Sequence, residues 1–211
     1  MSLSPGCPRC PAPVLQADDR WTCPDHGEVA PLWRPLEASY DEFGDHLRAA
    51  DGFPTLTPWP LGPGWSITDF AVVGAESRSS RATMSCISGT SAQDGPVDVI
   101  VVSEEPGTGL GARVAGTRHD DPGHEVGEGP PMVKIRVEHQ PLSLWPVSTS
   151  DGSREWDRSV LAGESGGRWL WLVLRPASAV LLLRPDWVLR DLSALGPGLL
   201  AVPFGGPAPA W

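Results

Sequence analysis

Three cysteines and a histidine near the start of the chain, Cys7, Cys10, Cys23 and His26, form the pattern Cys-x2-Cys-x12-Cys-x2-His. Two residues between ligands let the backbone turn tightly enough for both side chains to reach one ion. Two such pairs about a dozen residues apart supply the four donors of a tetrahedral zinc site. Thiolates are soft donors and neutral imidazole suits zinc equally well. Pro8 stiffens the first knuckle and Pro24 the second, and Gly27 follows where a ligand turn often needs positive φ. Between the knuckles, Pro11, Pro13, the pair Asp18-Asp19 and Trp21-Thr22 read as a short hairpin, the layout of a zinc ribbon. Four protein ligands leave no open position for water or substrate, so the spacing predicts one structural zinc per chain. The binding energy of such an ion is folding energy, on the order of 10 kcal/mol.

A second constellation lies further on, in Glu104-Glu105-Pro106-Gly107-Thr108-Gly109-Leu110-Gly111-Ala112-Arg113. It follows a strongly β-branched stretch, Val97–Ser103. Gly107-x-Gly109-x-x-Ala112 satisfies the spacing of a dinucleotide fingerprint, whose glycines let backbone amides approach a pyrophosphate. That fingerprint needs a helix after it, and only Leu110–Ala115 stands before Gly116. The flanking hairpins also argue against a parallel sheet. A looser ligand site remains, built from Glu104, Glu105, Gly107, Gly109, Gly111 and Arg113, with Arg113 and amides for an anion. Glu104 and Glu105 repel an anion unless they point away or hold a cation. The bland alternative is a mobile glycine loop at a strand end.

Other candidates are weaker. His119-Asp120-Asp121-Pro122-Gly123-His124-Glu125 contains metal-ligating types but reads as a solvated turn. Asp151–Arg158, leading to Gly163–Gly167, reads as a hairpin with ion pairs. Cys86 shares a strand face with Ala82 and Met84 and is expected to be a buried small hydrophobe. His46 is expected on the exposed side of a helix and His139 at a strand end. No Gly-x-Ser-x-Gly, P-loop or His-Glu-x-x-His pattern occurs.

Sixteen basic residues against 26 acidic ones give a net charge of −10. A nucleic-acid-binding domain normally carries a basic face, so this balance argues against that partner. Within the ribbon, Arg9, Arg20 and Arg34 are opposed by Asp18, Asp19, Asp25, Glu28 and Glu37. The first residues lack the charged start and apolar core of a signal peptide, and unpaired thiols suit a reducing compartment; the cytoplasm is expected. The longest apolar stretch, Trp169–Leu183, is broken by Arg175-Pro176 and falls short of the ~20 residues of a membrane span.

These residues must be positioned by strands. Twenty-four glycines and 24 prolines accompany 40 % hydrophobic residues, which predicts many turns around a real core. Ser39-x-x-Glu42 is a capping box, followed by Tyr40, Phe43 and Leu47 at helical spacing. Pro58-Trp59-Pro60-Leu61-Gly62-Pro63-Gly64-Trp65 is expected as an extended strap whose tryptophans cover the core. Strands are predicted over 65–75, 81–88, 97–103, 132–138, 144–147, 158–162, 169–174 and 179–183, and a short helical piece near Asp191–Leu195. The expected fold is mostly β, of α+β type: an antiparallel, strand-dominated sheet or open barrel with one main helix, preceded by a small zinc ribbon. The expected segments are 1–36 (ribbon), 37–60 (helix and strap) and 61–211 (β-rich domain).

The ribbon's Cys-Pro-x-Cys, Pro58-Trp59-Pro60-Leu61 with Gly64-Trp65, Arg81-Ala82-Thr83 with Cys86, the run Glu104–Arg113, and Gly163-Glu164 with Trp169-Leu170-Trp171 resemble an uncharacterised bacterial family, a domain of unknown function. The resemblance covers most of the chain. It implies an intracellular protein with an N-terminal zinc ribbon; some relatives carry the label phosphotransacetylase, whose two-domain α/β build a chain this short and antiparallel does not suit. The reading is therefore a non-enzymatic module that binds a protein or a small molecule. The alternative is an enzyme or sensor acting on a phosphate- or acyl-bearing small molecule through loop 104–113. The oligomeric state leaves no signal in the sequence.

Overall fold

The computed structural model describes residues 3–74, 79–149 and 157–211. Fourteen strands, two α-helices and three short 3-10 helices make up the regular structure of the described residues. The strands and α-helices are β1 (Leu3–Gly6), β2 (Leu15–Ala17), β3 (Arg20–Cys23), β4 (Gly27–Glu28), β5 (Leu32–Pro35), α1 (Tyr40–Ala50), β6 (Leu56–Pro58), β7 (Ser66–Val73), β8 (Ala82–Ser91), β9 (Gly95–Glu104), α2 (Leu110–Ala115), β10 (Val133–Val137), β11 (Gln140–Pro146), β12 (Ser159–Ser165), β13 (Arg168–Arg175) and β14 (Val188–Asp191). Eleven strands form one sheet in the order β1-β5-β7-β8-β9-β13-β12-β11-β10-β14-β6, and β2-β3-β4 form the ribbon's own small sheet. All neighbours in the large sheet run antiparallel except β10 and β14.

The sheet rolls without closing. Its last strand, β6, folds back over the inner face, where Thr83 Oγ1 donates to the Pro54 carbonyl at 2.5 Å and Ser85 Oγ to that of Leu56 at 2.6 Å. This leaves β9 and β13 covered on both sides. Val97, Val99 and Val101 join Leu170, Leu172 and Leu174 in the inner core, while Ile100 and Val102 join Trp171 and Val173 on the outer face. A strand buried on both faces reads as a continuous apolar run, which is why Val97–Val102 is β-branched almost throughout. Met84 and Cys86 also lie on the outer face, with Cys86 fully buried. Burial pushes its thiol up to about 12, so it behaves as a small hydrophobe.

α1 starts where expected: the Ser39 hydroxyl accepts the Glu42 amide. It packs Phe43 against Phe70 and Phe204. His46 differs from expectation. It is fully buried, not on an exposed face, because Phe43, Phe70 and Thr55 enclose it; its Nε2 lies 2.8 Å from Thr55 Oγ1. Burial lowers its pKa to about 3, keeping the imidazole neutral.

The segment expected as a strand over 179–183 is instead a 3-10 helix, Ala177–Leu182, with Ala179 N–H bonded to Pro176 O and Leu183 N–H to Val180 O. Both edges of β13 are already taken by β9 and β12, so this following segment finds no free ladder. A short 3-10 turn, Leu192–Ala194, fills the helical piece expected near Asp191. The link between the strands expected over 65–75 and 81–88 and the polar segment from Asp151 fall partly outside the described residues. No helix among the described residues is long and apolar enough to cross a membrane.

Candidate metal centre and ligand pocket

Cys7 follows β1, Cys23 ends β3, and His26 precedes β4, so the hairpin β2–β3 folds the second knuckle back on the first. The four ligand atoms of Cys7, Cys10, Cys23 and His26 all lie within 4.8 Å of one another. Cys10 Sγ and Cys23 Sγ are 3.6 Å apart, while His26 Nδ1 is 3.7 Å from Cys7 Sγ and 3.5 Å from Cys23 Sγ. Metal–ligand lengths of about 2.3 Å to sulfur and about 2.0 Å to nitrogen place the corners of a tetrahedron roughly 3.5–3.8 Å apart. The cluster thus fits a tetrahedral ion. The Arg9 amide points to Cys7 Sγ at 3.4 Å, the backbone support a thiolate ligand needs. No other group of metal-ligating side chains converges among the described residues. His119 and His124 stand apart on the exposed turn.

The two constellations read separately in the sequence meet in the fold. Arg9, inside the first knuckle, donates from Nη2 to the Gly107 carbonyl at 2.6 Å and from Nε to that of Thr108 at 3.4 Å. Its Nη1 pairs with Asp120 at 3.3 Å. Asp121 accepts the Gly107 amide at 2.8 Å. From the other side, Arg113 donates to the Cys7 carbonyl and lies 4.8 Å from the centre of the Trp211 ring, which Arg34 covers at 4.3 Å. Burial first, then the Arg34 charge, lower the Arg113 pKa. Asp120 and Asp121 therefore hold a junction, a role their composition did not announce.

The remaining loop residues are also engaged. Glu105 pairs with Arg81 at 3.1 Å. Glu104 is fully buried; its Oε2 accepts the Leu110 and Gly111 amides and its Oε1 the Trp171 indole. Burial raises its pKa to about 7, against the pull of these three donors. Gly109 caps α2 at φ +85°, and a Cβ there would meet the Arg9 stem at 2.8 Å. A Cβ on Gly111 would sit 2.1 Å from Trp171 Nε1. Nearby, Asp69 is buried with its carboxylate on Arg34 at 2.6 Å and on the Trp211 indole at 2.8 Å.

A cavity of about 610 Å³ opens elsewhere, between the strap after β6 and the turn before β14. Trp59, Trp65 and Trp187 line it with Pro58, Pro60, Leu61, Leu182 and the floor residue Ile87; Arg184 and Asp186 are its charged members. This volume lies within the range of small-ligand sites, which are concave and mostly apolar. The strap was legible as Trp- and Pro-rich, but as a cover for the core. Its opposite wall, Trp187, stands more than a hundred residues away along the chain, so no local signal could have joined them.

Residues 1–211 match the model of a family described as a family of unknown function (DUF6758). No curated protein and no solved structure matches the chain.

Proposed function

The chain belongs to this family of unknown function, and we propose that it is a non-enzymatic binding module of the bacterial cytoplasm. In this reading Cys7, Cys10, Cys23 and His26 hold one structural zinc, and the tryptophan-walled pocket takes a protein segment or a small molecule. The observation that carries it is the convergence of four ligand atoms within 4.8 Å, all from the protein, with no corner left for substrate. When bound, the ion supplies folding energy to a ribbon too small to bury a core. Arg9 and Arg113 then transmit that order, by gripping loop 107–113 and the Cys7 carbonyl. Three thiols kept for a metal suit a reducing compartment.

The other reading, an enzyme or sensor for a phosphate- or acyl-bearing molecule at Glu104, Glu105, Gly107, Gly109, Gly111 and Arg113, needs free amides and a free guanidinium. Here Glu104 takes the amides of Leu110 and Gly111, Asp121 that of Gly107, and Arg113 serves Cys7 and Trp211. That engagement weighs toward the binding module.

Two measurements test the proposal. Metal analysis of protein purified without chelator should find one zinc per chain, and Cys10→Ala should abolish it; metal-free wild-type protein of unchanged stability refutes the structural zinc. A thermal-shift panel of nucleotides, acyl-coenzymes, apolar heterocycles and short peptides reads the second half, because a ligand raises stability by mass action. A shift that Trp187→Ala removes supports the pocket. A nucleotide or acyl-coenzyme shift that Arg113→Ala removes, with Trp187→Ala silent, transfers the function to loop 104–113.

A further inference from the structure

We propose that Cys10 is a peroxide-sensitive modification site, whose oxidation to a disulfide with Cys23 opens the metal centre and releases loop 107–113 from the ribbon. This rests on the reading of Cys7, Cys10, Cys23 and His26 as a zinc centre.

The three thiols of the cluster differ in access. Cys7 is 0 % exposed and Cys23 1 %. Cys10 alone of the three reaches the surface. It borders a cavity of about 350 Å³ together with Pro11, Arg34, Leu36 and Arg113. That space is many times the ~30 Å³ that a water-sized molecule occupies. Its charges are mixed, because the Asp25 carboxylate stands 3.8 Å from Cys10 Sγ while the two arginines line the wall. Such a setting selects no ion, whereas hydrogen peroxide is small and uncharged. A cysteine that serves as a metal ligand is a thiolate, and peroxide oxidises thiolates that solvent can reach.

Cys23 is placed as the second partner, its Sγ 3.6 Å from that of Cys10. In the first step the Cys10 thiolate attacks one peroxide oxygen. An S–O bond forms, the O–O bond breaks, and hydroxide leaves to be protonated by solvent. In the second step the Cys23 thiolate attacks the Cys10 sulfur. An S–S bond forms, the S–O bond breaks, and a second hydroxide leaves. Two electrons pass from the two sulfurs to the peroxide, which ends as two waters. Cys7 and His26 are then too few donors to hold a tetrahedral ion.

The fold carries this change outward. β2 and β4 are exposed at every residue, so the ribbon has little core to keep it ordered once the centre opens. Arg9 lies between Cys7 and Cys10 and grips the Gly107 and Thr108 carbonyls, and Arg113 holds the Cys7 carbonyl. Loosening the first knuckle therefore frees the segment at the head of α2. β1 and β5 belong to the large sheet, with Leu3 in its core, so the change stops at the base of the ribbon.

The test uses the full chain, its zinc content measured first, and hydrogen peroxide. A chelating dye should record loss of the one zinc per chain. Peptide mass mapping of the first product should find Cys10 joined to Cys23, with Cys7 and Cys86 still thiols. Met132 is exposed and takes up oxygen independently, so the cysteine peptides are read rather than the whole-chain mass. Hydrogen exchange should accelerate across 107–113, and a dithiol reductant with added zinc should restore the slow rate. Cys10→His keeps four donors without a thiol at that corner and should retain zinc under peroxide. Should it bind no metal, the linkage mapped in wild type decides. Cys86→Ala should respond as wild type does. Zinc kept under peroxide yet lost to a strong chelator overturns the inference and leaves the zinc reading intact; so does first oxidation at Cys7 or Cys86. Zinc release with unchanged exchange over 107–113 also overturns it. Protein that carries no zinc overturns both readings.

Discussion

The indole of Trp171 donates to Oε1 of Glu104 at 2.6 Å, and both side chains are fully buried. Trp171 lies on β13 and Glu104 ends the neighbouring strand β9. The other carboxylate oxygen takes the Leu110 amide at 2.9 Å and the Gly111 amide at 3.2 Å. One side chain thus links two central strands to the start of α2.

Burial of this carboxyl, outweighing its three donors, makes stability depend on pH in a direction unusual for a glutamate. In the folded chain the carboxyl keeps its proton up to about pH 7, whereas the ordinary value is 4.5. Between those values the folded state binds more protons than the unfolded one, so stability falls as pH rises through the window. The full shift corresponds to about 3 kcal/mol. Urea unfolding of wild type and Glu104→Gln at pH 5 and pH 7.5 should show wild type losing about 2 kcal/mol relative to the variant, the part of the shift that falls in that interval. A pH-independent difference between them would remove the assignment.

His46 works in the opposite direction. Its folded pKa is lowered to about 3 from 6.5, so the folded state binds fewer protons in that window and stability is lost as pH falls through it. Between pH 6.5 and 4 the loss is about 3 kcal/mol. His46→Gln should be less stable at neutral pH, through its lost packing on Phe43 and Phe70, yet flatter on the acid side. Equal acid slopes in both proteins would show that the imidazole becomes protonated without unfolding.

Gly111→Ala should destabilise by about 2–4 kcal/mol, because the new methyl would lie 2.1 Å from Trp171 Nε1 and neither α2 nor a fully buried indole can move freely. Thermal unfolding measures it. A near-neutral effect would show that α2 is only loosely seated.

Arg9→Ala should leave zinc content unchanged but free the loop that Arg9 grips. Hydrogen exchange should accelerate across 107–113, with a stability loss of about 1–3 kcal/mol from the carbonyl bonds. The partly exposed pair with Asp120 adds little. Faster exchange confined to the ribbon, with 107–113 unaffected, would show that the loop is ordered without it.

Much of the molecule was legible where the determining forces are local. The Ser39 cap needs only the amide of Glu42, three residues on. Val97–Val102 could be read as a central strand because β-branched residues on both faces fit nothing else. Ala177–Leu182 was illegible for the opposite reason: its apolar run suits a strand, yet β13, the strand before it, already has β9 and β12 on its two edges, and the segment folds as a 3-10 helix. His46 looked like a surface histidine because α1 by itself does not reveal that Phe70 of β7 closes over it.

By itself the sequence determined the Cys7, Cys10, Cys23 and His26 cluster, since ligand spacing is a property of short backbone turns, and it determined a strand-dominated sheet through its alternating apolar runs. Only the tertiary structure decided what approaches the glycines. Glycine at 107, 109 and 111 is the same letter whether a phosphate or a neighbouring side chain comes close, and in the fold Arg9, 98 residues before Gly107, and Trp171 are what come close. The tryptophan pocket was decided the same way. Trp59 and Trp187 become neighbours only when β14 pairs with β6, and that pairing depends on how the whole sheet rolls.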